Sequence, residues 1–258
     1  MVKVSDVYSL IDSTFPYSLQ MDGDNSGIIC VDNEQPVNTI LLALDITNGV
    51  IDEAVKIGAN LIIAHHPLFY SGISSIVKQD AFTGKAYKMI QNNISAICAH
   101  TNLDIANGGV NDTLTQILGL SNVLGFYSKD NENFLGRIGT PSIACFDKFL
   151  KMIKSKLNCE NIRYVKSTNT IKNVALIGGS AANNFSDAIK AGADTYITGD
   201  CKYDHFMQAK EMGFNLIDAG HFKTENVILP KLSELFKKNF PNIDVIVSQT
   251  HCDCIKTI

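Results

Sequence analysis

Residues 53–64 read EAVKIGANLIIA and residues 187–198 read DAIKAGADTYIT. The two segments share Ala54/Ala188, Lys56/Lys190, Gly58/Gly192, Ala59/Ala193 and Ile63/Ile197, where average residue usage gives about one match. Each reads as the end of a helix, a Gly stop and a short apolar strand. Outward from this pair, further apolar runs have strand length: TILLALD (39–45), NLIIA (60–64), SAICA (95–99), NVALI (173–177), TYIT (195–198), NLIDA (215–219) and DVIV (244–247). Helix-like stretches lie between them at 50–58, 82–92, 108–118, 183–191, 202–212 and 231–239. The N-terminal MVKVSDVYSLIDSTFP reads as an amphipathic helix. Alternation at this spacing predicts an α/β fold with mostly parallel sheets. Many of the runs lack a period of two, as expected for strands covered on both faces. The repeated segment predicts two related α/β lobes, residues 1–128 and 129–258, with the polar stretch FYSKDNENFL (126–135) as a linker.

The chain has 258 residues, 45% of them hydrophobic, enough for one large core or two modest ones. Charged residues make up 19% and the net charge is −4. That balance argues against disorder and shows no dense basic footprint, so nucleic acid is not an expected partner. No run approaches the roughly 18–20 apolar residues of a membrane span, and the N-terminus does not read as a signal peptide. The seven cysteines are scattered with no CxxC; they read as reduced thiols of a cytoplasmic protein. The tail HCDCIKTI (251–258) brings His251, Cys252 and Cys254 together, a weak match to zinc spacing for which a docked tail is the preferred reading.

Four of the six histidines sit directly after apolar runs: the pair His65-His66, His100 in a His-x-x-x-Asp motif with Asp104, and His221 in a His-x-x-x-Glu motif with Glu225. In open α/β sheets, ligands collect beyond the carboxyl ends of strands. Adjacent residues of an extended segment point in opposite directions, so His65 and His66 suit two ions, or one ion and a supporting partner. The four-residue spacing of His221 and Glu225 places both on one face of a helical turn. That turn must be short, because Pro230 would clash with the carbonyl of Asn226 in a continuous helix.

The predicted metal ligands are His65, His66, Asp104, His221 and Glu225. Three imidazoles and two carboxylates without a thiolate differ from the Cys-rich structural zinc sites. Such a set suits two divalent ions, Zn, Mn, Fe or Co, with Glu225 or hydroxide as bridge and room for water. Glu225 and His100 are the catalytic candidates, and His100 can alternatively orient Asp104 or a water. Other positions are weaker. His205 either lines the same cleft or sits on a surface helix. Gly178-Gly179 follows a strand but lacks phosphate-loop spacing, so a turn is preferred. GDNSG (23–27) reads as a turn or a loop shaping the cleft. Asp45 is a general base or a plain strand-end carboxylate.

Taken together, DNSG, LLALDIT, ANLIIAHHPLFYSGISSI, AHTNLDIANGGVND, ALIGGSA, ADTYITGD and DAGHFKTE resemble the Nif-three-like family, whose members are often named type 2 GTP cyclohydrolase homologues. The resemblance runs nearly end to end. It implies a two-lobed Nif-three-like fold with a dinuclear metal centre between the lobes, and a toroidal homohexamer. Carried over by position, it implies the same five ligands. The chain looks like the short form, without the middle domain of longer relatives. One departure is KYDHF, where Asp204 stands between Tyr203 and His205, which separates His205 from the family pattern. The function this implies is a metal-dependent hydrolase using a metal-bridging water, with opening of the GTP imidazole ring as the named reaction. The alternative is a non-catalytic, metal-binding oligomeric scaffold or metal-delivery protein.

Overall fold

Most of the parallel strands of this chain are buried along their whole length, and two sheets grow from them. The computed structural model describes residues 1–30, 32–128, 130 and 132–256. In chain order the elements are α1 (Val4–Thr14), β1 (Gly27–Cys30), β2 (Thr39–Ala43), α2 (Asn48–Ile57), β3 (Leu61–Ala64), α3 (Thr83–Gln91), β4 (Ser95–Cys98), α4 (Thr101–Ile105), α5 (Val110–Ile117), β5 (Leu120–Ser128) and β6 (Phe134–Pro141). They continue with α6 (Phe146–Lys156), β7 (Arg163–Val165), β8 (Val174–Leu176), α7 (Phe185–Lys190), β9 (Thr195–Thr198), α8 (Tyr203–Glu211), β10 (Asn215–Asp218), α9 (His221–Glu225), α10 (Ile228–Asn239) and β11 (Asp244–Val247). None of the described helices is long and apolar enough to cross a membrane.

By contact the chain forms two units, Met1–Ala106 with Ile228–Cys252, and Asn107–Val227 with Asp253–Ile258. The sequence reading divides it at 128/129 instead. Two segments account for the difference. Helix α5 and strand β5 belong with the second unit, where β5 pairs β6. Strand β11 returns to the first unit as the parallel neighbour of β2. Half of the stretch read as a linker is the end of β5 and the start of β6; Lys129 and Asn131 within it lie outside the described residues.

The sheet of the first unit runs β1-β4-β3-β2-β11. All pairs are parallel except β1 with β4. Strands β2, β3 and β4 are buried throughout, which is why none alternates. Leu41, Ala43, Ile62 and Ala64 pack with Val50, Ile51 and Ala54 of α2 and Met89 of α3. The sheet of the second unit runs β5-β6-β8-β9-β10-β7, parallel among β8, β9 and β10. Phe146, Phe149 and Ile153 of α6 pack against Leu176, Ile197 and Ile217 of that sheet. Strands β1, β5, β6 and β7 and helices α4 and α6 are additions to the sequence reading. Strand β5 (LSNVLGFYS) is largely exposed and β6 (FLGRIGTP) carries Gly and Arg, so neither presents the apolar run used to find strands.

The repeated segments take the same local form. Gly58 (φ 72°) ends α2, and Gly192 (φ 90°) follows α7, in the left-handed conformation that favours Gly. The residue after each closes the same bond back into its helix, Ala59 N–H to the Ala54 carbonyl at 2.9 Å and Ala193 N–H to the Ala188 carbonyl at 3.1 Å. Each turn then delivers the middle strand of a parallel trio, β2-β3-β4 or β8-β9-β10.

Candidate metal centre

In the first unit, register turns sequence into a row of functional groups. Ala43, Ala64 and Cys98 are cross-strand partners at the carboxyl ends of β2, β3 and β4. Two residues beyond each stand Asp45, His66 and His100. His65, one step earlier, is fully buried, and its Nδ1 lies 2.7 Å from the Ala99 carbonyl oxygen. The Nδ1 of His66 lies 2.8 Å from Asp45 Oδ1, and the Nδ1 of His100 lies 2.8 Å from Asp24 Oδ1. One donor atom from each of His65, His66 and His100 falls within 4.8 Å of the others. Asp104, buried on α4, brings Oδ1 to 3.6 Å from His65 Nε2, beyond hydrogen-bond range.

Asp24 comes from the loop before β1 and its side chain is 4% exposed. It also accepts from the backbone N–H groups of Asn25 and Thr101 and from the hydroxyls of Ser26 and Thr101. Burial works against its charge, but hydrogen bonds from His100 and Thr101 outweigh it and hold the carboxyl well below the usual carboxylate range. GDNSG is thus a turn whose one buried carboxylate braces a candidate site histidine.

In the second unit, His221 opens α9 and Glu225 closes it. The four-residue spacing brings His221 Nε2 to 3.0 Å from Glu225 Oε2, while His221 Nδ1 lies 2.7 Å from Asp200 Oδ2. Asp200 adopts the left-handed conformation (φ 55°) after β9, uncommon for a residue other than Gly. Glu225 is buried against Gly179, where an added Cβ would stand 2.0 Å from Glu225 Oε1. A Cβ at Gly199 would stand 2.6 Å from the His221 backbone nitrogen. The Gly pair read as a turn therefore has a steric duty, to leave room for the Glu225 carboxylate. The chain restarts as α10 at Ile228, with Pro230 in its first turn, where a missing N–H costs nothing. This agrees with the short turn expected at His221.

All four site histidines share one device. Each engages an oxygen acceptor through Nδ1, which commits the neutral ring to Nδ1–H and presents Nε2 as a lone pair. At His65 and His221 that lone pair faces a buried carboxylate. Two such acceptors repel unless a cation, a proton or a metal ion, lies with them. The donor chemistry therefore fits divalent metal, with two carboxylates to offset its charge. His65, His66, His100 and Asp104 form one group in the first unit, and His221 with Glu225 forms another in the second.

The two remaining histidines make structural hydrogen bonds. His205 is 8% exposed; its Nδ1 accepts the Lys202 N–H at the start of α8, and its Nε2 lies 3.0 Å from Asn183 Oδ1. Both ring nitrogens are thus engaged away from the candidate ligands. The His251 side chain is buried, with Nε2 accepting the Leu44 N–H at 3.2 Å, and burial lowers its pKa. Cys252 and Cys254 are exposed thiols. Sequence reasoning weighed Asp45 but missed Asp24 and Asp200. Asp200 had a signal, since it aligns with His66 in the repeated segment.

Comparison with known proteins gives one answer. The family model Duf34/NIF3 (NGG1p interacting factor 3) matches residues 2–253. A Clostridium perfringens protein named GTP cyclohydrolase 1 type 2 homolog is 38% identical, the match covering 96% of this chain and 97% of that protein. A Clostridium acetobutylicum protein of the same name is 36% identical over 99% of this chain and 98% of its own length. The crystal structure of the Staphylococcus aureus hypothetical protein SA1388 superposes with a TM-score of 0.90 at 31% identity, covering 99% of each chain.

Proposed function

The chain belongs to the Duf34/NIF3 family, and from that premise we propose that it is a metal-dependent hydrolase whose two donor groups serve one dinuclear centre. His65, His66 and Asp104 would hold metal from the first unit, and His221 and Glu225 from the second. The observation that carries the reading is the common anchoring of the four histidines through Nδ1. When bound, divalent ions supply Lewis acidity to the bond being hydrolysed.

The chain's own residues supply the rest. Asp45 and Asp200 orient His66 and His221. Asp104 and Glu225 bring two negative charges that offset those of the ions. His100 takes a proton from the attacking water through Nε2 and returns it to the leaving group. Glu225 shares the catalytic role, because it is the buried carboxylate at the second donor group. The name carried by the relatives makes hydrolytic opening of the GTP imidazole ring the first reaction to assay. We further read the chain as a cytoplasmic homo-oligomer, a toroidal hexamer, which sedimentation of the purified protein tests.

Elemental analysis of purified protein should find two ions of Zn, Mn, Fe or Co per chain, falling in Glu225→Gln. Metal-loaded protein should hydrolyse GTP or another substrate from a panel of nucleotides and phosphoesters, and Glu225→Gln should lose that activity. Undiminished turnover in Glu225→Gln would remove the centre as catalyst. Bound metal with no turnover of any substrate would favour the scaffold or delivery reading.

A further inference from the structure

The acceptor that anchors His100 differs from the other three. The Ala99 acceptor of His65 is a backbone carbonyl, while Asp45 and Asp200, the acceptors of His66 and His221, are half-exposed carboxylates. Asp24 is a buried carboxylate brought from 76 residues away. Its two oxygens have unequal duties. Oδ1 faces His100 Nδ1 at 2.8 Å and the Asn25 N–H at 2.7 Å. Oδ2 faces donors only: Ser26 Oγ at 3.0 Å, the Thr101 N–H at 3.2 Å and the Thr101 hydroxyl. An ordinary turn carboxylate needs one or two of these bonds. This one ties a loop, the chain after β4 and an imidazole ring into one network.

We propose that Asp24 is a positioning residue that commits His100 to the tautomer protonated at Nδ1, so that Nε2 stands as the proton acceptor of the site. The inference rests on the reading of His100 as a catalytic group. The asymmetry of the carboxylate makes it testable. In Asp24→Asn the amide oxygen takes the Oδ2 position, where three donors converge. The amide nitrogen then faces His100 Nδ1, at the loss of the Asn25 bond. His100 must accept at Nδ1 and carry its proton on Nε2, which removes the lone pair that the site uses. A merely structural Asp24 would change stability and leave the tautomer alone.

The test is two-bond 15N–1H correlation spectroscopy on the full chain with labelled histidine, metal-free, at about pH 8, above the ordinary histidine pKa. His100 signals are assigned by their loss in His100→Gln. In the native protein His100 should show a protonated Nδ1 and a bare Nε2, and in Asp24→Asn the two should exchange. Ser26→Ala, which removes one donor to Oδ2 without touching the ring, should keep the native pattern. A native His100 protonated at Nε2, or averaging between tautomers, overturns the proposal, and this arm decides even where Asp24→Asn does not fold. An unchanged tautomer in a folded Asp24→Asn also overturns it. Metal content and turnover are scored separately. Tautomer exchange without metal or activity would sink the functional reading and leave this one standing, and the reverse pattern would do the opposite.

Discussion

Gly179 is where one methyl group would do the most damage to the candidate centre. Its backbone is left-handed (φ 68°), and an added Cβ would overlap Glu225 Oε1. Gly179→Ala should cost about 1–3 kcal/mol in urea unfolding and lower the metal content per chain, because the Glu225 carboxylate must move. Asp24 makes a second prediction at this scale. Its folded pKa lies below the ordinary value, so its contribution is present above the unfolded pKa of roughly 3.9 and is lost as pH falls through the folded one. His100 is the titratable group it faces. Asp24→Ala should be less stable than the native protein at neutral pH, by about 1–3 kcal/mol, with the gap closing in strong acid. A gap independent of pH in chemical denaturation would refute that assignment. The candidate ligands stand out in the sequence because His and acid follow apolar runs. The bracing carboxylates stand out less, because Asp24 reaches its histidine only through folding, across 76 residues of chain.

At the scale of elements, strand register does most of the positioning. Three parallel strands ending level place Asp45, His66 and His100 in one row, although they lie far apart in sequence. The chain just past β11 is held in part by one acidic side chain. Glu53 of α2 accepts from the Ser248 and Thr250 hydroxyls and from the Gln249 and Thr250 N–H groups. Burial opposes ionisation of Glu53, but these bonds outweigh it and lower its pKa. Glu53→Gln should destabilise the first unit by about 1–2 kcal/mol and raise proteolytic sensitivity after Val247. Unchanged protection of residues 248–251 in hydrogen exchange would refute the clamp. Of the seven strands found in the sequence, six are buried throughout and β11 is partly exposed. Edge strands such as β5 and β7 escaped because exposure removes the apolar signal.

At the scale of the molecule, the first unit is closed by chain that follows the second. Helix α10 and β11 contribute buried Ile228, Leu229, Leu232, Phe236 and Val245. At roughly 1.5–3 kcal/mol for each large apolar side chain buried, this is on the order of 10 kcal/mol, comparable to the net stability of a whole domain. A chain ending at Val227 should therefore lose the cooperative unfolding of its first unit, together with the binding of metal at His65, His66 and Asp104. A fragment 1–227 that kept both would show that α10 and β11 are dispensable.

The amino-acid sequence alone determined the α/β class, the repeated helix–Gly–strand unit and the candidate metal ligands. Those features are local: apolar runs, a left-handed stop at Gly58 and Gly192, and His or acid within a few residues of a strand end. Tertiary structure decided which ring nitrogen each histidine commits, which glycine makes room for Glu225, and that β11 completes a sheet begun some 200 residues earlier. These depend on pairings between distant segments. Such pairings form only when burial of apolar surface offsets the entropy of closing long loops, and no short-range pattern records which partners meet.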